Sequence, residues 1–155
     1  MCYLPGDNQN KKLMRFLKLF LFVLFFPLAS CQPEPKKIRV GKDTCAFCKM
    51  TVSDVRFGAE VITKKGKIFK YDDIHCLLSD VEKGNLIKGN IHEIYFTDFC
   101  GKHSLINSQI AFLLTGDELK SPMGGNIAAF SVNDSLRVTL QKIKGKEIYW
   151  QELFR

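Results

Sequence analysis

The run Asp43-Thr44-Cys45-Ala46-Phe47-Cys48-Lys49-Met50 puts two thiols and a thioether within six residues. Sulfur donors select soft metals, Cu(I) above all. A Cys-x-x-Cys spacing folds both sulfurs onto one ion across a tight turn. If Met50 opens a strand, Cys48 and Met50 share a face, because side chains alternate along a strand. Cu(I) is satisfied by two or three ligands, so this run nearly completes a site. Three other chemistries compete. Zinc usually takes four ligands with a second, closely spaced Cys/His pair, whereas Cys76 and Cys100 stand apart here. A thioredoxin-like redox motif opens a helix in a βαβ setting, whereas this motif precedes strand-like sequence and a methionine. The third is a plain structural turn. On the residues alone, soft-metal binding leads, and thiol redox chemistry and a structural role stay open.

Other donors are scattered. Met123 lies in Ser121-Pro122-Met123-Gly124-Gly125. A loop methionine flanked by glycines is hard to explain as core packing and suits a thioether ligand. Cys76 and His75 are weaker candidates on a predicted helix. Cys76 sits beside Leu77 on the apolar stripe and reads first as a core thiol, His75 as a solvated or capping residue. His92 and His103 carry no spacing signal, and Cys100, before Gly101, reads as a free thiol. Cys45, Cys48, Cys76 and Cys100 permit three disulfide pairings in an exported chain. The Cys45/Cys48 loop is the shortest and the poorest structural staple.

Several elements must position these donors. Phe57–Thr63 and Ile68–Tyr71, joined by Lys64-Lys65-Gly66-Lys67, read as a hairpin. Asp72 or Asp73 can cap a helix over residues 74–83, which Gly84 stops. Its apolar stripe is Ile74, Leu77, Leu78 and Val81. Ile91–Phe99 reads as a strand, residues 106–114 are ambiguous between helix and strand, and Ile127–Val132 reads as a strand. Asn133 or Asp134 caps a second helix over 135–144, and Glu147–Trp150 closes as a strand. A hairpin, helix and strand thus occur twice. The predicted class is α+β with two small ββαβ-like units on antiparallel sheets, with half-units at about 43–99 and 100–155.

The front of the chain reads as an address. Arg15 and Lys18 precede an apolar run, Leu19–Phe26, and then Leu28-Ala29-Ser30-Cys31. This is the anatomy of a secretory signal, with the small-residue-then-cysteine ending of a bacterial lipoprotein. The run is shorter than the roughly 20 residues a membrane span needs. Residues 1–30 are therefore expected to be removed, with Met14 as a plausible true start, and Cys31 to carry lipid, which takes its sulfur off the ligand list. Gln32 after that cysteine suggests sorting to the outer membrane, with the inner membrane as the alternative, in either case facing the periplasm. Residues 31–42, rich in Pro, Lys and Glu, read as a flexible or partly extended tether, and 43–155 as the folded domain. Loss of Asp7, Lys11, Lys12, Arg15 and Lys18 with the signal lowers the formal charge from +7 to about +4. That is too weak and scattered to argue for nucleic acid.

The blocks Cys45-x-x-Cys48-x-Met50, Asp54-Val-Arg56-Phe57-Gly58-Ala59-Glu60, Tyr71-Asp72-Asp73-Ile74-His75-Cys76 and Ser121-Pro-Met-Gly-Gly125 with Ala129-Phe130 resemble the NosL family of lipoprotein accessory factors. The resemblance runs through nearly all of the mature chain. It implies a fold of two ββαβ-like units related to organomercurial lyase, and a Cu(I) metallochaperone without catalysis. The implied cargo site is Cys48, Met50 and Met123, with Cys45 sharing or replacing one sulfur. The implied client is nitrous oxide reductase, served together with its ABC-type membrane assembly complex. Asp72 and Asp73 read as helix caps, with partner contact as a second role. Lys49 departs from the family's usual glycine between the second cysteine and the methionine, and nothing in the sequence carries over carbon–mercury cleavage. Two rival readings remain: a thiol-disulfide reductant for an exported copper enzyme, and a non-catalytic envelope lipoprotein that binds a protein partner.

Overall fold

A computed structural model describes residues 33–154 of the 155-residue chain. The signal sequence and Cys31 lie outside the described residues. Strands β1 (Ala59–Thr63) and β2 (Ile68–Tyr71) form the expected hairpin, followed by helix α1 (Ile74–Glu82) and strand β3 (Ile91–Thr97). Strands β4 (Leu105–Asn107), β5 (Phe112–Thr115) and β6 (Ile127–Phe130), helix α2 (Asn133–Leu140), strand β7 (Lys146–Ile148) and the short helix α3 (Trp150–Leu153) complete the chain. The antiparallel sheets run β2-β1-β3-β4 and β6-β5-β7. In each unit the first strand is central, its hairpin partner lies on one side, and the strand after the helix lies on the other. The repeated ββαβ order is therefore real, with β4 as an addition. Among the described residues, no helix is long and apolar enough to cross a membrane.

The two units share a core. Val61, Tyr71, Ile74, Leu77 and Phe96 of the first pack with Leu113, Ile127, Ala129 and Trp150 of the second. Phe96 and Trp150 meet edge to face, with ring centroids 4.9 Å apart, a favoured aromatic geometry. Phe99 N–H donates to Ala129 O at 2.7 Å and ties the end of β3 to β6. Phe57, Leu114, Phe130 and Leu136 form a second apolar cluster behind the smaller sheet.

Four local expectations change. The helical stripe is rotated: Cys76 and Asp80 are buried with Ile74 and Leu77, while Leu78 and Val81 are only half-buried. Burial of Asp80 is satisfied by Tyr71 Oη, which donates at 2.8 Å, and by Asn85 Nδ2 at 3.1 Å. The ambiguous stretch 106–114 becomes two strands, because Asn107 turns the chain by accepting Gln109 N–H on its side chain and Ile110 N–H on its carbonyl. Helix α2 starts at Asn133 without a side-chain cap, since Asn133 Oδ1 accepts Arg137 Nε instead, and it ends at Leu140 rather than near 144. Trp150 begins a short helix instead of closing a strand.

Residues 33–42 are extended or turned, yet they lie against the first sheet. Ile38 is buried, Lys36 N–H donates to Glu60 Oε1 at 2.8 Å, and Lys70 Nζ donates to Lys37 O at 2.9 Å. Arg56 finds its carboxylate in Asp54, through Nη2–Oδ2 at 2.6 Å, and lies over the Phe57 and Phe99 rings.

Candidate metal centre

The Cys45 run is a small hairpin. Cys45 N–H donates to Met50 O at 2.8 Å and Lys49 N–H to Cys45 O at 3.1 Å, while Thr44 and Thr51 bridge as antiparallel neighbours. Asp43 fixes its base by accepting Arg39 N–H and Lys70 Nζ, at 2.8 and 2.7 Å. Burial pushes the Asp43 carboxyl up, but the bonds from Arg39 and Lys70 outweigh it and hold the group well below the usual carboxylate range. The hairpin docks on β2 through Ala46 N–H to Lys70 O at 2.7 Å.

Lys49 closes this turn with φ 65°. That left-handed region costs an L residue about 1–2 kcal/mol and glycine almost nothing. Lys49 Nζ recovers part of the cost by donating to Ala46 O. Lys49→Gly is expected to raise stability by about 0.5 kcal/mol, the relieved strain exceeding the flexibility added to the unfolded chain. Urea denaturation checks it, and a loss of stability would show that the Lys49–Ala46 bond outweighs the strain.

The third donor comes from α1. Asp73 Oδ1 accepts His75 N–H at 2.8 Å and caps the helix, and Cys76 N–H reaches Asp73 O at 3.0 Å. This start turns Cys76 inward. Its sulfur and those of Cys45 and Cys48 all lie within 4.8 Å of one another. Metal–thiolate distances of about 2.3 Å would set three sulfurs around one ion about 4 Å apart, so a small contraction completes a trigonal site. Cys45 and Cys76 are buried, Cys48 is half-buried, and all four described cysteines are free thiols.

The three thiols are not equivalent. Cys45 receives a hydrogen bond from the Cys76 thiol and is approached by the backbone N–H groups of Asp72, Cys48 and Phe47, which pull its pKa down despite burial. Cys76, donating to Cys45, is pushed far up, and burial raises Cys48. Cys45 is thus the thiol whose ionisation its surroundings favour most. A thiol whose ionised form is favoured by amide N–H groups is suited to a soft cation.

The remaining predicted residues surround this cluster. Met123 is half-buried and packs against the core that contains Cys45 and Cys76. Met50 is 53% exposed at the end of the hairpin. His75 is exposed, with Nε2 3.4 Å from Ser79 Oγ. Asp72 and Asp73 are both buried. Asp72 Oδ1 accepts Ser53 N–H at 2.8 Å and pins the segment leaving the cysteine hairpin. Asp73 Oδ2 accepts Ser121 Oγ–H at 2.6 Å, Met123 N–H at 3.0 Å and Gly125 N–H at 3.4 Å. One carboxylate therefore caps the helix bearing Cys76 and latches the loop bearing Met123. The sequence reading undervalued Cys76 and missed this latch. The cap at Asp73 was the available signal for Cys76, since it fixes which face of the first turn looks inward.

Gly125 allows the close approach. A Cβ there would lie 2.4 Å from His75 Cβ and 2.7 Å from Asp73 Oδ1. Gly125→Ala is expected to lift the Met123 loop off the helix and cost about 1–3 kcal/mol, as overpacking does. Thermal unfolding and the amide shifts of Met123 check it. Unchanged shifts would mean that the loop position does not depend on this contact.

A two-unit α+β fold with three converging thiols defines a domain able to hold a soft metal. The chain belongs to the NosL family, whose model matches residues 37–154. Among solved structures it is similar to the copper chaperone NosL from Shewanella denitrificans, with a TM-score of 0.64 and 21% identity, covering 77% of this chain and 94% of that one. That likeness shows the shared fold. No curated protein matches the chain.

Proposed function

We propose that this protein is a membrane-anchored Cu(I) metallochaperone that carries copper without catalysis. The observation that carries the reading is the convergence of the Cys45, Cys48 and Cys76 sulfurs within 4.8 Å. No histidine or carboxylate joins that group among the described residues. An all-sulfur set of this kind favours Cu(I) over the harder divalent ions. Met123 and Met50 supply thioethers around the thiols, and they remain neutral and bind weakly at any pH.

The donors grade outward, from buried Cys45 and Cys76, through half-buried Cys48 and Met123, to exposed Met50. Such a gradient suits transfer one ligand at a time. An incoming donor displaces a weak thioether first and meets the thiolates last. Nitrous oxide reductase, served by its ABC-type membrane assembly complex, is the client that family membership suggests. Lipid on Cys31 would keep the carrier at the envelope, facing the periplasm.

The close thiols also support a second reading, thiol-disulfide exchange with an exported copper enzyme. One titration separates the two. Under reductant, against a chromophoric Cu(I) chelator, the carrier is expected to retain about one Cu(I) per chain. No retained copper, combined with equilibration of the thiols with a glutathione buffer, would replace the carrier reading with the redox one.

A further inference from the structure

We infer that the β1–β2 turn and the chain entering beside it form a membrane-facing surface for anionic lipid headgroups. The inference rests on the proposed lipid anchor at Cys31. Pro33, two residues after that cysteine in sequence, packs on Gly66 at the tip of the turn. A Cβ on Gly66 would lie 3.6 Å from Pro33 Cγ. The chain therefore leaves the domain toward Cys31 beside Lys64, Lys65 and Lys67, with Lys36 and Lys37 following on the same incoming segment. All five lysines are exposed.

None of the five lysines forms an ion pair among the described residues. Among the described residues, the nearby cations that form ion pairs are Arg39 and Lys70, both to Asp43, while Lys67 Nζ lies over the Phe69 ring. Glu34 is the one exposed acid in the two segments, and Glu60 is buried. A lipidated cysteine next to this cluster would hold it at headgroup height. Basic residues at that height are attracted to an anionic leaflet, and an acyl anchor combined with a basic patch gives a more stable attachment than either alone.

The test uses the lipidated protein on vesicles of phosphatidylcholine alone or with roughly one third phosphatidylglycerol, with lysines acetylated by an N-hydroxysuccinimide ester and mapped by mass spectrometry. On the anionic vesicles Lys36, Lys37, Lys64, Lys65 and Lys67 are expected to react about fivefold more slowly than on neutral ones. Lys142 and Lys144 serve as internal references, and about 0.5 M salt should remove the difference. A variant carrying Lys64→Gln, Lys65→Gln and Lys67→Gln, in an exposed turn that tolerates change, should release the protection of Lys36 and Lys37. Equal reaction on both vesicle types overturns the surface while leaving the anchor intact. Failure of the protein to stay on neutral vesicles, to the same extent as Cys31→Ser, overturns the anchor and the surface with it.

Discussion

Cys76→Ser is expected to weaken Cu(I) binding by at least about 100-fold, since loss of a direct ligand should exceed the 10–100-fold effect of losing an outer-shell partner. The change keeps the size of the side chain and its place on α1. It removes the sulfur that completes the trigonal set and the thiol that donates to Cys45. A hydroxyl is a hard donor that Cu(I) bonds poorly. Cys100→Ser provides the contrast. Cys100 packs with the second apolar cluster around Phe57 and Phe130 rather than with the thiols, so its loss should leave affinity unchanged. Competition with a chromophoric chelator measures both variants. Equal affinity in the Cys76 variant and wild type would reduce the site to the Cys45 hairpin with its thioethers, which is the set that the family resemblance alone implies.

Asp73→Asn should cost about 3 kcal/mol of stability and loosen copper binding about tenfold. Asp73 is fully buried and accepts from four donors: His75 N–H, Ser121 Oγ–H, Met123 N–H and Gly125 N–H. An asparagine offers one acceptor oxygen and turns an NH2 group on the remaining donors. Whichever way the amide faces, either the helix cap or the Met123 latch is lost. Buried donors left without partners cost about 1–3 kcal/mol, more where the lost partner was charged. Chemical denaturation reads the first loss. The second should appear as faster Cu(I) transfer to a chelator, because the Met123 loop would no longer be latched to the helix that carries Cys76. An Asp73→Asn protein with wild-type stability would show that the four donors find other partners.

These two residues also mark where the sequence could be read and where it could not. The Cys45–Met50 run announces its chemistry by type and spacing, and the structure folds it as a turn because a four-residue loop between paired Cys45 and Met50 fits a hairpin. The β1–β2 hairpin, the start of α1 and its stop at Gly84 follow from local signals: alternation, an aspartate cap, and a glycine at φ 73°. Cys76 was harder. Leu77 and Leu78 draw the apolar stripe toward themselves, whereas the structure buries Cys76 on the same face as Asp80, which lies under Tyr71. Asp80 is a polar residue whose partner is in another element, and periodicity cannot see that. The Asp73 latch spans 48 to 52 residues. The loop Ser121–Gly125 was recognisable as a loop, but its acceptor was not, because both participants already had adequate local explanations. The entering segment shows the same limit. Its composition suggests a tether, while Ile38 and the Lys36–Glu60 bond dock it on the sheet.

Copper K-edge X-ray absorption of the Cu(I)-loaded protein tests whether the sulfurs of Cys45, Cys48 and Cys76 hold the copper. The predicted result is a sulfur-only first shell of about three scatterers, falling by about one in Cys76→Ser. A first shell dominated by nitrogen or oxygen, or a sulfur shell that Cys76→Ser leaves unchanged, would contradict it.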